Sequence, residues 1–184
     1  LDPALLAAPV AGEQRLAFLF DGLRSLDADL RRRGSRLIVR RGHPEEELAR
    51  LVAETQAQLI VAERDVTPFA RRRDERIARA LPLHLVAGVT VHAPEDVLKE
   101  DGRPYTVFTP YSRKWLSLPR PTGMLPAPER ISTPEGLASE EIPAEPTLPV
   151  SAPFPAGEQE AQRRLLAFTT GDAAAIARYR DDRN

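Results

Sequence analysis

Residues 59–68, L-I-V-A-E-R-D-V-T-P, contain the boundary that decides the fold of this chain. The first four residues are all apolar, as in strands that are buried on both faces of a parallel sheet. Thr67 is a good N-cap, and Pro68 suits the first position of a helix, where its missing N–H would have no partner anyway. The stretch therefore predicts a strand that leads directly into a helix, which is the repeating step of a parallel α/β sheet.

The same step recurs on both sides of this boundary. Apolar residues at helical spacing predict a helix over 13–33, and a short apolar run predicts a strand over 36–40. Further helices are expected over 44–58 and 68–81, and the apolar segment 83–92 alternates like a strand in its second half. This alternation predicts a parallel sheet of three strands with crossover helices. Because the series opens on a helix, we expect further strands upstream.

The composition changes after residue 110. Eleven of the 18 prolines lie at Pro110 or later, and their density predicts an extended linker without regular elements over 119–157. A last helical stretch is expected from Glu158 to Tyr179, with Gly171 as a possible interruption. The predicted class is α/β, with helices flanking a parallel sheet, then a long proline-rich linker and a short helical segment.

The composition also excludes several kinds of site. The 184 residues include no cysteine, so disulfides, thiolate zinc sites and cysteine nucleophiles are excluded. The three histidines are scattered and indicate no metal centre, and a formal net charge of −1 argues against a general nucleic-acid-binding surface. No run approaches the roughly 18 apolar residues of a membrane helix. We expect no membrane partner and a cytoplasmic location.

Arg64 and Asp65 are candidate ligand contacts, since ligands bind at the carboxyl ends of strands in open parallel sheets. For Asp65 the alternative is a role confined to helix initiation. The run R-R-R-D at 71–74 is interpreted as a solvated face with local ion pairs, and a phosphate or partner-domain contact is the alternative. Arg15, early in the first long helix, is either a surface residue or a ligand contact from another side.

The stretch 104–115, P-Y-T-V-F-T-P-Y-S-R-K-W, concentrates aromatic residues in a chain that has one tryptophan and three tyrosines. Tyr105, Phe108, Tyr111 and Trp115 either anchor the linker onto the domain or line a cleft for a flat conjugated molecule. The chain has no G-x-S-x-G, P-loop or G-x-G-x-x-G motif. Taken alone, the residues predict an α/β domain that binds a ligand and carries a tail toward another domain.

Four motifs, in a fixed order, resemble a known family. They are R-x-x-F-L-F-D-G-L-R-S-L-D (15–27), G-S-R-L-I-V-R-R-G-H-P (34–44), E-R-D-V-T-P-F-A-R-R-R-D (63–74) and D-G-R-P-Y-T-V-F-T-P-Y-S-R-K-W (101–115). Together they resemble the N-terminal antenna domain of DNA photolyases and cryptochromes, most like the bacterial cyclobutane-dimer photolyases. The resemblance is clear up to residue 118 and looser beyond it, and it implies a Rossmann-like parallel sheet.

The resemblance implies that the chain consists of three segments. They are an α/β antenna-chromophore domain over 1–118, a proline-rich interdomain linker over 119–157 and the start of a helical FAD-binding domain over 158–184. The family's first two strands, one with a W-F-R-R-D-L-R-like motif, lie centrally in its sheet and have no counterpart here. We therefore expect an incomplete sheet, and a chain that aggregates when expressed alone because apolar strand edges are exposed.

For the parent protein the resemblance implies a deoxyribodipyrimidine photo-lyase, which splits cyclobutane pyrimidine dimers in DNA under light. It implies FAD in a domain that this fragment lacks, an antenna chromophore in the present domain, dimer-containing DNA as the partner, and a monomer. Because the antenna only passes excitation to the flavin, no catalytic residue is expected in this fragment. A cryptochrome-type photoreceptor and a stand-alone nucleotide-binding α/β domain are the alternatives.

For the antenna pocket the resemblance implies Arg15, Glu63, Arg64 and Asp65 as cofactor-binding residues. Their positions match those at which deazaflavin-type photolyases place polar contacts. Folate-binding members tend to carry an Asn/Glu-type pair just before a P-Y or M-Y dipeptide, where this chain has G-R at 102–103. The difference favours a deazaflavin or a second flavin over folate, and an empty pocket is the remaining alternative.

Overall fold

The computed structural model describes residues 1–8, 11–88, 90–120, 122, 125–149, 154–170 and 175–182. In these residues the helices are α1 (Pro3–Leu6), α2 (Glu13–Arg32), α3 (Pro44–Thr55), α4 (Pro68–Ala80), α5 (Phe108–Ser117), α6 (Glu158–Thr169) and α7 (Ala175–Asp182). The strands are β1 (Ile60–Glu63) and β2 (Leu83–Val86), and a 3₁₀ turn covers Pro94–Asp96. Among the described helices, none combines the length and the apolar composition that a bilayer crossing requires.

Strands β1 and β2 pair in parallel, with Ile60 opposite Leu83 and Glu63 opposite Val86. The backbone N–H of Arg64 also donates to the carbonyl of Val86 over 2.9 Å, which extends the pairing one residue past the end of β1. Helix α4 connects the two strands, so the predicted parallel α/β arrangement with a crossover helix is confirmed.

Helix α4 begins as its sequence predicts. Thr67 has extended backbone angles, and its side chain accepts a hydrogen bond from the N–H of Ala70, while Pro68 occupies the first helical position. One face of the helix is buried through Ala70, Asp74 and Ile77, which recur at helical spacing. The opposite, charged face is exposed, so α4 is an amphipathic helix held by its apolar stripe.

Helix α3 is shorter than the predicted 44–58. It ends at Thr55 because Gln56 adopts a left-handed backbone conformation with a φ of 54°, which a continuing helix does not allow. Arg76 of α4 donates to Glu45 of α3 over 2.6 Å, so the two helices are linked by an ion pair at the surface.

Within the described residues the sheet has two strands, so the predicted three-stranded sheet is wrong in two places. Residues 36–40 are extended but form no strand ladder. Instead the N–H of Val39 donates to the side chain of Ser139, and its carbonyl accepts from the N–H of Glu140, both over 2.9 Å. The strand in 83–92 occupies the first half of the segment, because β1 ends at Glu63 and offers no partner beyond Val86.

The chain forms two compact units. Leu1–His43 and Pro128–Asn184 make up one, and Pro44–Ala127 make up the other. The first unit contains α1, α2, α6 and α7, with Ala17 and Phe20 of α2 buried. The second contains the sheet with α3, α4 and α5. These units are defined by packing, and the domain bounds expected from the resemblance remain a prediction.

In the first unit the proline-rich segment runs back along residues 33–41. The N–H of Ile131 donates to the carbonyl of Arg33 over 2.9 Å, and Arg36 donates to the carbonyl of Leu137 over 2.7 Å. The described residues between α5 and α6 contain no helix or strand, which confirms the predicted irregular linker. It is nevertheless packed, because its carbonyls satisfy arginine side chains of the preceding segment.

The predicted helical stretch near the C-terminus consists of α6 and α7, which contact each other through Phe168 and Tyr179, with ring centroids 6.0 Å apart. The predicted interruption at Gly171 lies outside the described residues.

Candidate functional site

The carboxyl end of β1 carries the candidate residues Arg64 and Asp65. The Asp65 carboxylate accepts a hydrogen bond from the N–H of Thr67 over 2.8 Å, in the turn that opens α4. This hydrogen bond, rather than a charged partner, is the main reason why the pKa of Asp65 is lowered from its ordinary value of 3.8. The role in helix initiation is confirmed, and a ligand contact by the same side chain stays a prediction.

A cavity of about 520 Å³ opens beside this turn, and we refer to it as the α4 cavity. Arg64 and Asp65 line it together with residues of α4, namely Arg71, Asp74, Glu75 and Ala78. Val66, Leu85 and Pro94 add apolar surface. The volume falls within the range of sites for small organic ligands, and the mixture of apolar wall and a few polar groups is typical of them.

Asp74 is the buried charged residue of this cavity, and only 5% of its surface is exposed. Both Nε and Nη2 of Arg73 contact the same carboxylate oxygen, Oδ1, at 2.8 and 2.7 Å. The other oxygen, Oδ2, is buried and has no hydrogen-bond donor among the described residues. A buried polar atom left without a donor costs about 1–3 kcal/mol.

The interpretation of 71–74 as a solvated face is therefore wrong for Asp74, although the local ion pair with Arg73 is confirmed. The reason is the helical period, which places Asp74 between Ala70 and Ile77 on the buried face of α4. That spacing is visible in the sequence and would have identified Asp74 as a buried carboxylate.

Arg64 lines the α4 cavity and forms an ion pair across the cavity rim with the carboxylate of Glu95, 3.8 Å away. Both side chains are partly exposed, so this ion pair contributes less than about 1 kcal/mol. Because the two charged groups are 3.8 Å apart, the Arg64 guanidinium is able to leave Glu95 and bind a ligand instead.

The other two predicted site residues do not line the α4 cavity. Glu63 is exposed and lies against Gly88, where an added Cβ atom would clash with its Oε1. Arg15 is an exposed residue of α2 and belongs to the other compact unit. The antenna role of all four residues remains a prediction.

The aromatic stretch forms α5 and the loop before it, and it borders a second cavity of about 370 Å³. Trp115 packs edge-on against His92, with centroids 4.9 Å apart, and Tyr105 packs edge-on against Tyr111 at 6.4 Å. Phe108 points away, with 78% of its surface exposed. Sequence reasoning missed His92, because its contact with Trp115 joins residues far apart in the chain. Both interpretations of this aromatic cluster, packing against the domain and ligand binding, stay predictions.

No group of three or more histidine and acidic side chains in the described residues could hold a metal ion.

Comparison with solved structures identifies the class of proteins that share this fold. A crystal structure of a Synechocystis cryptochrome matches 99% of the chain and 41% of its own length, with a TM-score of 0.76 and 21% identity. A bacterial class III photolyase from Agrobacterium tumefaciens matches 98% of the chain and 34% of its own length, with a TM-score of 0.65 and 22% identity. The fold is thus the α/β fold found in photolyases and cryptochromes.

Sequence comparison is more specific. Residues 1–132 match the family model for DNA photolyase. The deoxyribodipyrimidine photo-lyase of Streptomyces griseus is 39% identical over 98% of the chain and 42% of its own length. That of Thermus thermophilus is 34% identical over 93% of the chain and 38% of its own length. The chain belongs to the DNA photolyase family, and it spans about two fifths of the length of these relatives.

Proposed function

We propose that this chain is the antenna part of a deoxyribodipyrimidine photo-lyase, a carbon–carbon lyase that repairs cyclobutane pyrimidine dimers in DNA with light. The observation that carries the proposal is the 39% identity with the Streptomyces griseus photo-lyase over 98% of the chain. The partner is DNA that contains pyrimidine dimers, and the protein acts on it as a monomer in the cytoplasm.

The α4 cavity is the proposed antenna site. Its volume and its apolar wall fit one flat heterocycle, with Arg64 and Asp65 as polar contacts at the rim. Arg15 and Glu63, which do not line this cavity, stay predicted cofactor-binding residues from the resemblance. When bound, the antenna chromophore supplies absorbed light energy to FAD, whose contacts we place outside this chain. The chain's own residues hold and orient the chromophore, and none of them needs to transfer a proton.

The antenna is proposed to be a deazaflavin or a flavin rather than folate. Arg103 stands in the position of the folate-contacting pair, and its guanidinium is held by Asp101 over 2.8 and 2.6 Å. The neighbouring Gly102 has a φ of +77° and contributes no side chain. An arginine bound to its own aspartate cannot replace the hydrogen-bonding pattern of an amide and a carboxylate.

A cryptochrome-type photoreceptor is the second candidate. It is favoured by the DASH cryptochrome of Natronomonas pharaonis, which is 28% identical over 96% of the chain.

Light-dependent repair distinguishes the two candidates. The longest reading frame that contains the chain would be expressed, reduced and mixed with an oligonucleotide that carries one thymine dimer. Restoration of the two thymines under blue light, and not in the dark, is the expected result. Flavin photoreduction without dimer splitting would instead support the photoreceptor.

The antenna role has its own test in the wavelength dependence of repair. Ala78 is exposed and lines the α4 cavity, so Ala78→Trp fills the site with a large ring. Repair should fall at wavelengths that the antenna absorbs and stay unchanged where only FAD absorbs. Ala80→Trp, at the end of the same helix and outside the cavity, is the matched control. Equal losses at all wavelengths in Ala78→Trp would contradict the assignment.

A further inference from the structure

Three arginines of the first compact unit donate hydrogen bonds to backbone carbonyls of the proline-rich segment, and we call these contacts the linker clamp. The pairs are Arg33 with Pro128, Arg36 with Leu137, and Arg24 with both Pro143 and Ala144. Because proline has no N–H, a proline-rich segment offers mainly acceptors. A guanidinium group, which has five N–H donors and no acceptor, suits such a segment.

Further contacts lie between the arginines of the linker clamp. They join Ile131 to Arg33, Thr133 to Ser35, and both Ser139 and Glu140 to Val39. The order of these contacts is the same along both segments, so the two segments run side by side in one direction. The proline-rich segment is thus attached over much of its length rather than at a single point.

The linker clamp limits the distance that the linker can span. A proline-rich chain extends by about 3.1 Å per residue, so residues 119–157 would reach about 120 Å if nothing held them. The contacts of Arg24 leave residues 145–157 before α6, and these reach about 40 Å at full extension. Helix α6 is itself attached to α2, because Gln159 donates to Asp29 over 3.3 Å.

The linker joins the two parts of the protein between which excitation passes in the proposed function. The α4 cavity belongs to the unit Pro44–Ala127, which precedes the clamped segment in the chain, and FAD is expected beyond α6. Transfer of excitation between two chromophores weakens steeply as their separation grows. A tether of limited reach therefore favours transfer, as it raises the effective concentration of any two groups that it joins.

We propose that Arg24 and Arg36 are positioning residues for the transfer of excitation from the antenna to FAD. They hold the proline-rich segment along residues 33–41, and so limit the distance between the two chromophore-binding parts. Neither arginine lines the α4 cavity, so both act through the linker. This inference rests on the antenna function proposed above and deepens it.

The double variant Arg24→Ala/Arg36→Ala tests whether the linker clamp holds the linker. The variant is made in the longest reading frame that contains the chain. Amide hydrogen exchange in peptides covering 128–144 should rise by about tenfold, the equivalent of one hydrogen bond of average strength. The radius of gyration from small-angle X-ray scattering should increase. Arg36→Lys, which keeps an N–H donor, should give intermediate values.

Arg50→Ala is the matched control. Arg50 is exposed, and its contacts are with Glu46 and Glu47 of its own helix. Its removal should change neither the exchange of residues 128–144 nor the radius of gyration.

The wavelength dependence of repair and the fluorescence of the antenna test the positioning role. The double variant should lose repair of a thymine-dimer oligonucleotide at wavelengths that the antenna absorbs and keep it where only FAD absorbs. Antenna fluorescence should rise, since excitation that is not passed on is emitted. A role confined to stability would lower repair equally at all wavelengths and leave the fluorescence unchanged.

A disulfide can replace the linker clamp in the double variant. The hydroxyl groups of Ser35 and Thr133 are hydrogen-bonded to each other, so Ser35→Cys/Thr133→Cys brings two thiols together. These 184 residues contain no other cysteine. The oxidised form should restore slow exchange in 128–144 and low antenna fluorescence, and reduction of the disulfide should reverse both.

The outcomes separate this inference from the proposed function. Unchanged exchange of residues 128–144 in the double variant would overturn the linker clamp. Faster exchange with unchanged antenna fluorescence, or equal losses of repair at all wavelengths, would overturn the positioning role and leave the antenna function standing. Repair by the unaltered protein that does not depend on antenna absorption would overturn the antenna function, and the role of Arg24 and Arg36 in excitation transfer with it.

Discussion

The carboxylate of Asp27, in α2, accepts a hydrogen bond over 2.8 Å from the backbone N–H of Leu37, ten residues further along the chain. This bond fixes the extended segment that follows α2 onto the helix. Asp27→Ala should increase amide hydrogen exchange at Leu37 by about tenfold, the equivalent of one hydrogen bond of average strength. Exchange measured by mass spectrometry on a peptide covering 34–41 checks this, and Asp27→Asn, which keeps an acceptor oxygen, should exchange more slowly than the alanine variant. Unaltered exchange in Asp27→Ala would show that the bond does not hold the segment.

The same bond makes stability depend on pH. The N–H of Leu37, and then the Arg31 guanidinium, hold the pKa of Asp27 below its ordinary value of 3.8. A depressed pKa stabilises the folded state above pH 3.8, and this contribution is lost as the pH falls through the folded-state pKa. The difference in free energy of unfolding between the protein and Asp27→Asn should therefore be largest near neutral pH and shrink as the pH falls below 3.8. Urea denaturation at neutral pH and at a series of pH values below 3.8 measures it, and a difference that grows on acidification would contradict the sign.

Asp65 has two roles that one substitution can separate. In Asp65→Asn the side-chain oxygen still accepts from Thr67, so α4 should begin as before, but the negative charge at the cavity rim is lost. Because the Thr67 N–H holds the pKa of Asp65 below 3.8, we expect a small drop in melting temperature at neutral pH, of the size seen in the control variant below. We also expect about tenfold weaker flavin binding, since a charged hydrogen bond is exchanged for a neutral one. Asp101→Asn is the matched control, because Asp101 accepts from the N–H of Arg103 over 3.0 Å in a similar turn outside the cavity. Loss of stability in Asp65→Asn alone would mean that the carboxylate serves only the helix start.

A substitution at Gly88 tests the position of the Glu63 side chain. A methyl group at Gly88 would clash with Oε1 of Glu63, so Gly88→Ala forces that flexible, exposed carboxylate to rotate away. We expect little change in stability and, if Glu63 contacts the antenna chromophore, weaker flavin binding. The effect should not add to that of Glu63→Ala, since both changes remove the same carboxylate from its position. Gly22→Ala, where nothing lies within 4 Å of the added atom, is the control. Additive losses would show that Gly88 acts independently of Glu63.

The elements that the sequence predicted well depend on neighbours in the chain. Thr67 and Pro68 start α4 through contacts within one helical turn, and the apolar run of β1 leads directly into it. The turn chemistry of Asp65 was equally accessible, because its hydrogen bond spans two residues.

The features that sequence reasoning missed depend on distant partners. Whether 36–40 enters a sheet is decided by what lies beside it, and here Ser139 and Glu140 bind Val39. His92 lines the second cavity, where it packs against Trp115 of α5. Asp74 is different: its burial followed from its helical position, but the adjacent arginines favoured the interpretation as a solvated face.

The pairing between residues 33–41 and the proline-rich segment has a consequence for the order of events during synthesis. Val39 and Ser139 are separated by 100 positions, and the compact unit Pro44–Ala127 lies entirely between them in the chain. At about 5–20 residues per second, a ribosome delivers Ser139 about 5–20 s after Val39. The inserted unit is therefore translated, and has time to fold, before the unit that encloses it in sequence can close.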